Sequence, residues 1–564
     1  MSKNLSKEKR VILLDKISKL KAFLESANAT PEMRAYLTEL ESELKKQKYG
    51  LVFEEHEEEI DVLLKTHTPV LTEQKDLFVN NGGQMNFLIE GDNLAALTLL
   101  EKTHKGKIDV IYIDPPYNTG AKDWKYDNDY VDGNDLFRHS KWASFMHKRL
   151  VFADKLLAEN GILVCTIDNY EIHNLQLLME HTLSNRDFVI TVIEHNHRGR
   201  AKNNFALTHE YAVWAIPKDK DLITRKAEFA KDAVLNLRRT GTNSLKEDRP
   251  TMFYGIIVNK KTLEIVGTTQ PLADYDLSLL NNNTEYEIIL PIDSTGVERR
   301  WYYGAEKTIS EARIGNVFAK RSKDKLNVYF KFDGKPIQRK SVWTGAKYDA
   351  SSHGTVLLNE IVGKDAFSFP KSLFAVKECI EAGTADKSAT ILDFFAGSGT
   401  TGHAVLELNR EDGGDRKFIL CTNNENGICR DVTYERVKTV ITGKRKDGSK
   451  YSDGMAGSLK YQKIDFVPIS EQTYYDYADE LLKHIKELVE LENAINFDGN
   501  LELDIFLSED EVERFFAATA KLRTVKTIYL AHDISLNLAE QKLLQDNGIT
   551  VNVIPEYYYN ERQV

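Results

Sequence analysis

Two segments constrain this chain more than any other part of it: short apolar runs that each stop at an aspartate followed by a backbone-shaping motif. The first is Asp109-Val110-Ile111-Tyr112-Ile113, ending in Asp114-Pro115-Pro116-Tyr117. The second is Ala389-Thr390-Ile391-Leu392, ending in Asp393-Phe394-Phe395-Ala396-Gly397-Ser398-Gly399-Thr400-Thr401. Short apolar runs bounded by Pro or Gly read as buried strands. Other stretches fit the same rhythm. Phe87–Asp92 is a strand leading into a helix from Asn93 to Leu100, and an amphipathic helix is predicted around Trp142–Leu157. Gly161–Ile167, Glu210–Ile216 and Lys417–Cys421 are further strands. Strands alternating with helices imply an α/β fold with a mostly parallel sheet, whose ligands sit at the carboxyl ends of the strands.

At 564 residues the chain is too long for one compact domain. Residues 1–65 read as a helical hairpin. Leu13, Ile17, Leu20 and Leu24 form one stripe and Met33, Leu37, Leu40 and Leu44 a second, joined across Thr30-Pro31. Such a hairpin packs on its own chain or forms a subunit interface. Residues 66–216 hold the first α/β half. Residues 217–345 lose the βα rhythm and carry Arg238-Arg239 and Arg299-Arg300 beside aromatics, which marks an inserted module. The rhythm returns over 346–465, and 466–564 is predicted to form a small C-terminal α/β unit. The four cysteines form no CxxC pair, which excludes a disulfide scaffold and a cysteine zinc knuckle. With no run long enough to cross a bilayer and no leader-like start, the chain reads as soluble and cytoplasmic.

The net charge of -11 hides an asymmetry. Residues 191–350 carry 27 Lys+Arg against 20 Asp+Glu, a net +7, whereas 466–564 alone is -11. A basic middle between acidic flanks suits a polyanion that touches part of the surface.

Asp-Pro-Pro-Tyr arises by chance at roughly 1 in 10^5 positions. At a strand end it brings together a carboxylate, a proline-constrained carbonyl and an aromatic ring. That set suits an exocyclic amine on a planar base, whose nitrogen lone pair is delocalised and poorly nucleophilic. Asp114 and the Pro115 carbonyl accept the two N–H hydrogens, Pro116 holds the turn, and Tyr117 stacks on the ring. The second motif is not a phosphate-binding loop, because His403 and Ala404 stand where Lys and Ser/Thr are required. Glu425, beyond the next strand, sits where a carboxylate binds ribose hydroxyls. A nucleoside-bearing cofactor without a pyrophosphate fits these features.

Together these residues resemble the β class of DNA amino-methyltransferases, in which the catalytic motif precedes the cofactor motif and a target-recognition domain lies between them. The wider assembly, with Leu88–Leu94, Asp114–Gly120, Phe367–Ser372 and the Lys48–Glu57 stretch, is similar to the modification subunit of type III restriction-modification systems. The resemblance implies a circularly permuted, Rossmann-like methyltransferase sheet that uses S-adenosylmethionine and no metal. Asp114, Pro115 and Tyr117 would hold a flipped adenine. Asp393, Phe395, Gly397, Gly399 and Thr400 would cradle the cofactor, Glu425 its ribose and Asp92 its adenine. Phe369, Lys371 and Ser372 would complete the pocket near its carboxylate. Asp rather than Ser at 114 favours N6-adenine over N4-cytosine.

Flipping the base costs a few kcal/mol of unstacking, which duplex DNA contacts would offset. Arg198, Arg200, Arg238, Arg239 and Arg300 are the candidates for those contacts. The implied partners are double-stranded DNA, a second copy of the chain and a separate helicase-nuclease restriction subunit. The residues also admit an orphan or other phage-defence methyltransferase, an enzyme acting on RNA or a protein amide, a non-catalytic DNA-specificity subunit, and a nicotinamide oxidoreductase on a similar sheet.

Overall fold

The computed structural model describes residues 5–26, 30–45, 53, 56–126, 129–132, 135, 137–183, 185–199, 204–227, 233–272, 285–322, 325–332, 336–364, 366–469, 480–518 and 520–558. Arg200 and most of the Lys48–Glu57 stretch lie outside them. The chain divides into two compact units, Met1–Thr224 with Lys340–Val564, and Arg225–Arg339. The inserted module expected over 217–345 is thus built from a shorter segment, because β6 and β7 on either side belong to the sheet.

The larger unit is organised by an eleven-stranded sheet. In chain order its main strands are β1 (His67–Glu73), β2 (Met85–Glu90), β3 (Ile108–Ile113), β4 (Leu157–Ile167), β5 (Arg186–Ile193), β6 (Glu210–Pro217), β7 (Val342–Trp343), β8 (Thr390–Asp393), β9 (Lys417–Thr422) and β10 (Ser458–Pro468). Their spatial order is β1-β10-β2-β9-β8-β3-β4-β6-β5-β7. The six from β10 to β4 run parallel. β6 is antiparallel to both β4 and β5.

The strands are apolar on both faces, as a sheet covered on both sides requires. Ile111, Ile113, Leu163 and Cys165 pack with helices Asn93–His104, Arg138–Leu156 and Ile172–Thr182. Val110, Tyr112, Ile162 and Val164 pack with helices Leu373–Gly383, Thr400–Asp412 and Glu435–Thr442 on the other face. The strands of the two chain halves interleave. β8 pairs directly with β3 through Ile391–Val110 and Leu392–Ile111, so motifs about 280 residues apart end on neighbouring strands.

The hairpin is present as helices Leu5–Ser26 and Pro31–Lys45, with Ile17 and Leu37 buried between them. β10 belongs to the main sheet. Beyond it, Leu503–Phe506, Thr527–Leu530 and Thr550–Val553 form a three-stranded parallel sheet. Ile485, Leu488, Tyr529 and Ile554 from this region join the core of the main unit. In the smaller unit, the antiparallel sheet of Ala233–Asn236, Lys325–Phe332 and Val317–Ser322 and the sheet of Ile256–Asn259, Ile265–Thr268 and Tyr286–Ile289 share a core around Tyr254, Trp301, Val328 and Phe330.

Candidate active site

Asp114 follows the last residue of β3, where the chain leaves the sheet. The two prolines that follow cannot continue a ladder, and the Pro116 carbonyl is fixed by the buried Trp142 indole at 2.7 Å. Past Tyr117 the backbone turns through Asn118, in the left-handed region at φ 55°. The Asn118 amide donates to the Arg138 carbonyl and to Glu171, a buried carboxylate that also meets His139 at 2.6 Å and Asn174 at 2.7 Å. The loop that carries Tyr117 is therefore clamped to two helices.

Around Asp114 the structure assembles a charged cluster. The Lys371 ammonium lies 2.8 Å from Asp114 and 3.4 Å from Glu210, and donates to the Tyr117 hydroxyl at 2.5 Å. Tyr117 in turn reaches Asp114 at 3.1 Å and Glu210 at 2.9 Å, while Thr166 at the end of β4 donates to Asp114 at 2.7 Å. Asp114 keeps 25% side-chain exposure, against 13% for Lys371 and 5% for Glu210, so of these three Asp114 is the group most open to a ligand.

Burial raises the Asp114 carboxyl above the ordinary carboxylate value; Glu210 adds to that rise and Lys371 opposes it. Burial works to lower Lys371, but the carboxylates of Asp114 and Glu210 outweigh it and keep the ammonium charged. Tyr117 is pushed far above the usual phenol value by burial and the same two carboxylates, so it stays a neutral hydrogen-bonding ring. The cluster presents a fixed acceptor beside an aromatic ring, which suits a neutral N–H donor on a flat base.

The second site is one strand away. After β8, Gly397 and Gly399 take the left-handed conformation at φ 46° and 73°, which costs other residues about 1–2 kcal/mol. The turn is tied down by Ala396 N–H to the Cys421 carbonyl at 3.0 Å and by Asn93 to the Phe394 carbonyl at 3.0 Å. Asp393 is buried. It accepts from Thr401 at 2.5 Å and from the Phe395 N–H at 2.9 Å, yet burial still lifts its carboxyl to about 7.

From Asp393 to Thr401, only Phe395 and Gly397 are partly exposed. The stretch fits a cationic, partly apolar ligand. It offers a ring and bare backbone at the opening, with a carboxyl behind them that a nearby ammonium would ionise.

Asp92 follows β2 and caps helix Asn93–His104 through the Leu94 N–H at 2.7 Å. Glu425 follows β9 and is exposed. Since β2, β9, β8 and β3 are consecutive in the sheet, Asp92, Glu425, Asp393 and Asp114 stand in one row along its carboxyl edge.

Several expected roles change. The resemblance puts Lys371 at the cofactor carboxylate; in the structure its ammonium joins the Asp114 cluster. The Ser372 hydroxyl donates to the Lys347 carbonyl at 2.8 Å, and the Thr400 hydroxyl accepts from the buried Arg436 at 2.7 Å. Phe369 is 71% exposed, with φ at 60°. Arg300 is corrected as a DNA contact: it is 3% exposed and its Nε donates to the Asn243 carbonyl at 2.8 Å, so it holds a loop of the smaller unit. Arg238 is half-buried and donates to the Ile292 carbonyl, Arg239 lies over the Tyr302 ring, and Arg198 is exposed.

Sequence reasoning missed Glu210, Thr166 and Asn93. The signal for Glu210 was a lone carboxylate opening an otherwise apolar strand. Because β6 is antiparallel, its first residue arrives at the edge where the parallel strands end.

Comparison with known proteins agrees with this geometry. The DNA methylase family pattern matches residues 108–434. The type II methyltransferase M.KpnI of Klebsiella pneumoniae is 33% identical over 391 residues, covering 67% of this chain and 90% of that one. The EcoPI Mod subunit of a type III restriction-modification enzyme, from Escherichia phage P1, is 30% identical over 61% of this chain and 58% of its own length. The StyLTI Mod subunit of Salmonella typhimurium is 29% identical over 65% and 57%. With the pattern covering more than half its length and M.KpnI matched almost end to end, this chain belongs to the N6/N4 DNA methylase family.

Proposed function

We propose that the enzyme transfers a methyl group to N6 of an adenine flipped out of duplex DNA, as the modification subunit of a type III-like system. The observation that carries this reading is the adjacency of β3 and β8, which sets the Asp114–Tyr117 acceptor cluster beside the Asp393–Thr401 turn. The family's methyl donor is S-adenosylmethionine, which supplies an electrophilic methyl group on a sulfonium. Asp393, Phe395, Gly397 and Gly399 would hold its methionine end, with Asp92 and Glu425 along the same edge for its nucleoside.

The chain's own residues do the rest. Asp114 accepts an amine hydrogen, Tyr117 covers the base, and Lys371 and Thr166 hold Asp114 in one orientation. Positioning and electrostatics of this kind supply most of the acceleration for such a transfer. The Mod relatives support the type III reading; a homodimer and a separate helicase-nuclease partner are proposed with it. The helical hairpin fits the dimer role, since Leu20, Phe23, Met33, Tyr36 and Leu40 are each at least 48% exposed. A stand-alone methyltransferase is the second reading, favoured by the near-complete match to M.KpnI.

Single-molecule long-read sequencing of DNA from methylase-free cells expressing the wild type or Asp114→Ala tests the proposal. Modified adenines at one defined word, absent with the variant, are expected. Modified cytosines would overturn the adenine assignment. No modification from folded wild-type protein would overturn the stand-alone reading and leave one that requires a partner.

A further inference from the structure

The positive charge of the middle segment is concentrated in one place. Of residues 191–350, the stretch 313–340 holds nine Lys+Arg and two Asp+Glu, a net +7 equal to that of the whole segment, and the remainder balances to zero. In the fold this stretch contains the antiparallel ribbon Val317–Ser322 and Lys325–Phe332. The alternation of the strands sorts its side chains cleanly. Val317, Ala319, Leu326, Val328 and Phe330 point into the core. Phe318, Lys320, Lys325, Asn327, Tyr329 and Lys331 point outward.

On that outward face Lys320, Lys325 and Lys331 are exposed, and no ammonium of the three has an ion-pair partner among the described residues. No outward position of the ribbon or of the adjoining strand Ala233–Asn236 is acidic. Between the lysines, Phe318 and Tyr329 face each other across the ribbon, with nearly parallel rings 6.2 Å apart. Six residues at roughly 3.4 Å each place Lys325 and Lys331 about 20 Å apart along one strand, enough to engage several phosphates.

A surface with unpaired cations, flat rings and an amide, lying on the outer pair of a three-stranded antiparallel sheet, has the chemistry of a duplex reader. We infer that this outer face is the enzyme's principal DNA-docking surface. Lys320, Lys325 and Lys331 contact phosphates, and Phe318, Asn327 and Tyr329 meet the base edges. The inference rests on the chain's membership of the DNA methylase family. It moves the main DNA contacts away from Arg238, Arg239 and Arg300, whose guanidiniums are engaged within the smaller unit.

The test uses the full-length protein with a fluorescent 60-base-pair duplex of mixed sequence, titrated at several salt concentrations. A K320A/K325A/K331A variant is expected to bind at least ten-fold more weakly at moderate salt. The slope of log affinity against log salt should flatten by about 2–3, near one unit for each phosphate the variant no longer neutralises. Thermal unfolding and S-adenosylmethionine binding, followed by tryptophan fluorescence, should match the wild type. The KM for DNA in methyl transfer should rise with kcat retained at saturating DNA. F318A and Y329A test the rings separately, each lowering affinity with the salt slope intact.

A matched K521A/K526A/K542A variant on the C-terminal region should bind DNA as the wild type does. If the ribbon variant keeps wild-type affinity and slope, the face is not the docking surface. If the C-terminal variant loses as much, the effect is general charge and the inference also falls. Failure of the wild type itself to bind any duplex would overturn the DNA reading and this surface with it.

Discussion

The two strand-end sites lie on adjacent strands and are built differently. The acceptor site after β3 works through side-chain charge: Asp114, Lys371, Glu210 and Tyr117 come from three distant segments and satisfy one another within 3.4 Å. The turn after β8 works through backbone. Nine consecutive residues, two of them left-handed glycines, shape an opening, and its one carboxyl is buried and lifted to about 7. A charge cluster can be tuned or lost by one substitution that leaves the fold standing. A backbone contour is altered only at a cost in stability, because its residues are also the core between β8 and helix Thr400–Asp412.

That contrast can be broken at several points. Asp114→Asn keeps the shape and removes the charge. Methyl transfer measured with labelled cofactor should fall about 1000-fold, with unfolding temperature and cofactor affinity unchanged. A variant that also lost cofactor binding would show that the two sites are not separable.

Asp393→Asn tests the buried carboxyl. Its folded value of about 7 lies above the ordinary 3.8, so the protonated form stabilises the fold. That stability is fully present below pH 3.8 and lost as pH rises through 7. Urea unfolding should show the wild type losing about 3 kcal/mol more than the variant between pH 5 and pH 8. Parallel curves would refute the assignment.

Gly399→Ala forces a methyl group to within 3.2 Å of the Thr433 side chain and 3.3 Å of its carbonyl, at φ 73°. It should cost about 2 kcal/mol of stability and weaken cofactor binding in calorimetry while leaving DNA affinity unchanged. A selective loss of kcat would contradict the backbone role.

The smallest effect is expected from Glu210→Gln, which leaves the hydrogen-bonding shape and removes a carboxylate that raises Asp114. A roughly ten-fold lower kcat is expected, together with an acid limb of the pH–rate profile displaced to lower pH. An unmoved limb would show that Glu210 serves packing alone.

Much of the catalytic half was legible because its signals are local. Apolar runs predicted β3, β8 and β9, and prolines and glycines marked the turns. Element ends were less accurate. The helix expected to close at Leu100 runs to His104, where burial of Thr103 and His104 extends it. What escaped were residues whose role depends on a distant partner. Glu210 reads as the start of a strand until the direction of β6 is known. Lys371 reads as a cofactor contact until its ammonium is seen beside Asp114. Arg300 reads as a surface cation until Trp301 and Tyr254 draw its segment into a core.

Strand ends at Asp114 and Asp393, a rigid turn after each, and a basic module between them can all be read from local sequence. Hydrophobic period, proline and glycine act on neighbouring residues, so one dimension is enough to read them. The adjacency of β3 and β8, the completion of the acceptor cluster by Lys371 and Glu210, and the set of lysines that face outward together arise in the folded chain alone. Those outcomes depend on strand order, strand direction and burial, and the energies that set them act between groups hundreds of residues apart in the chain.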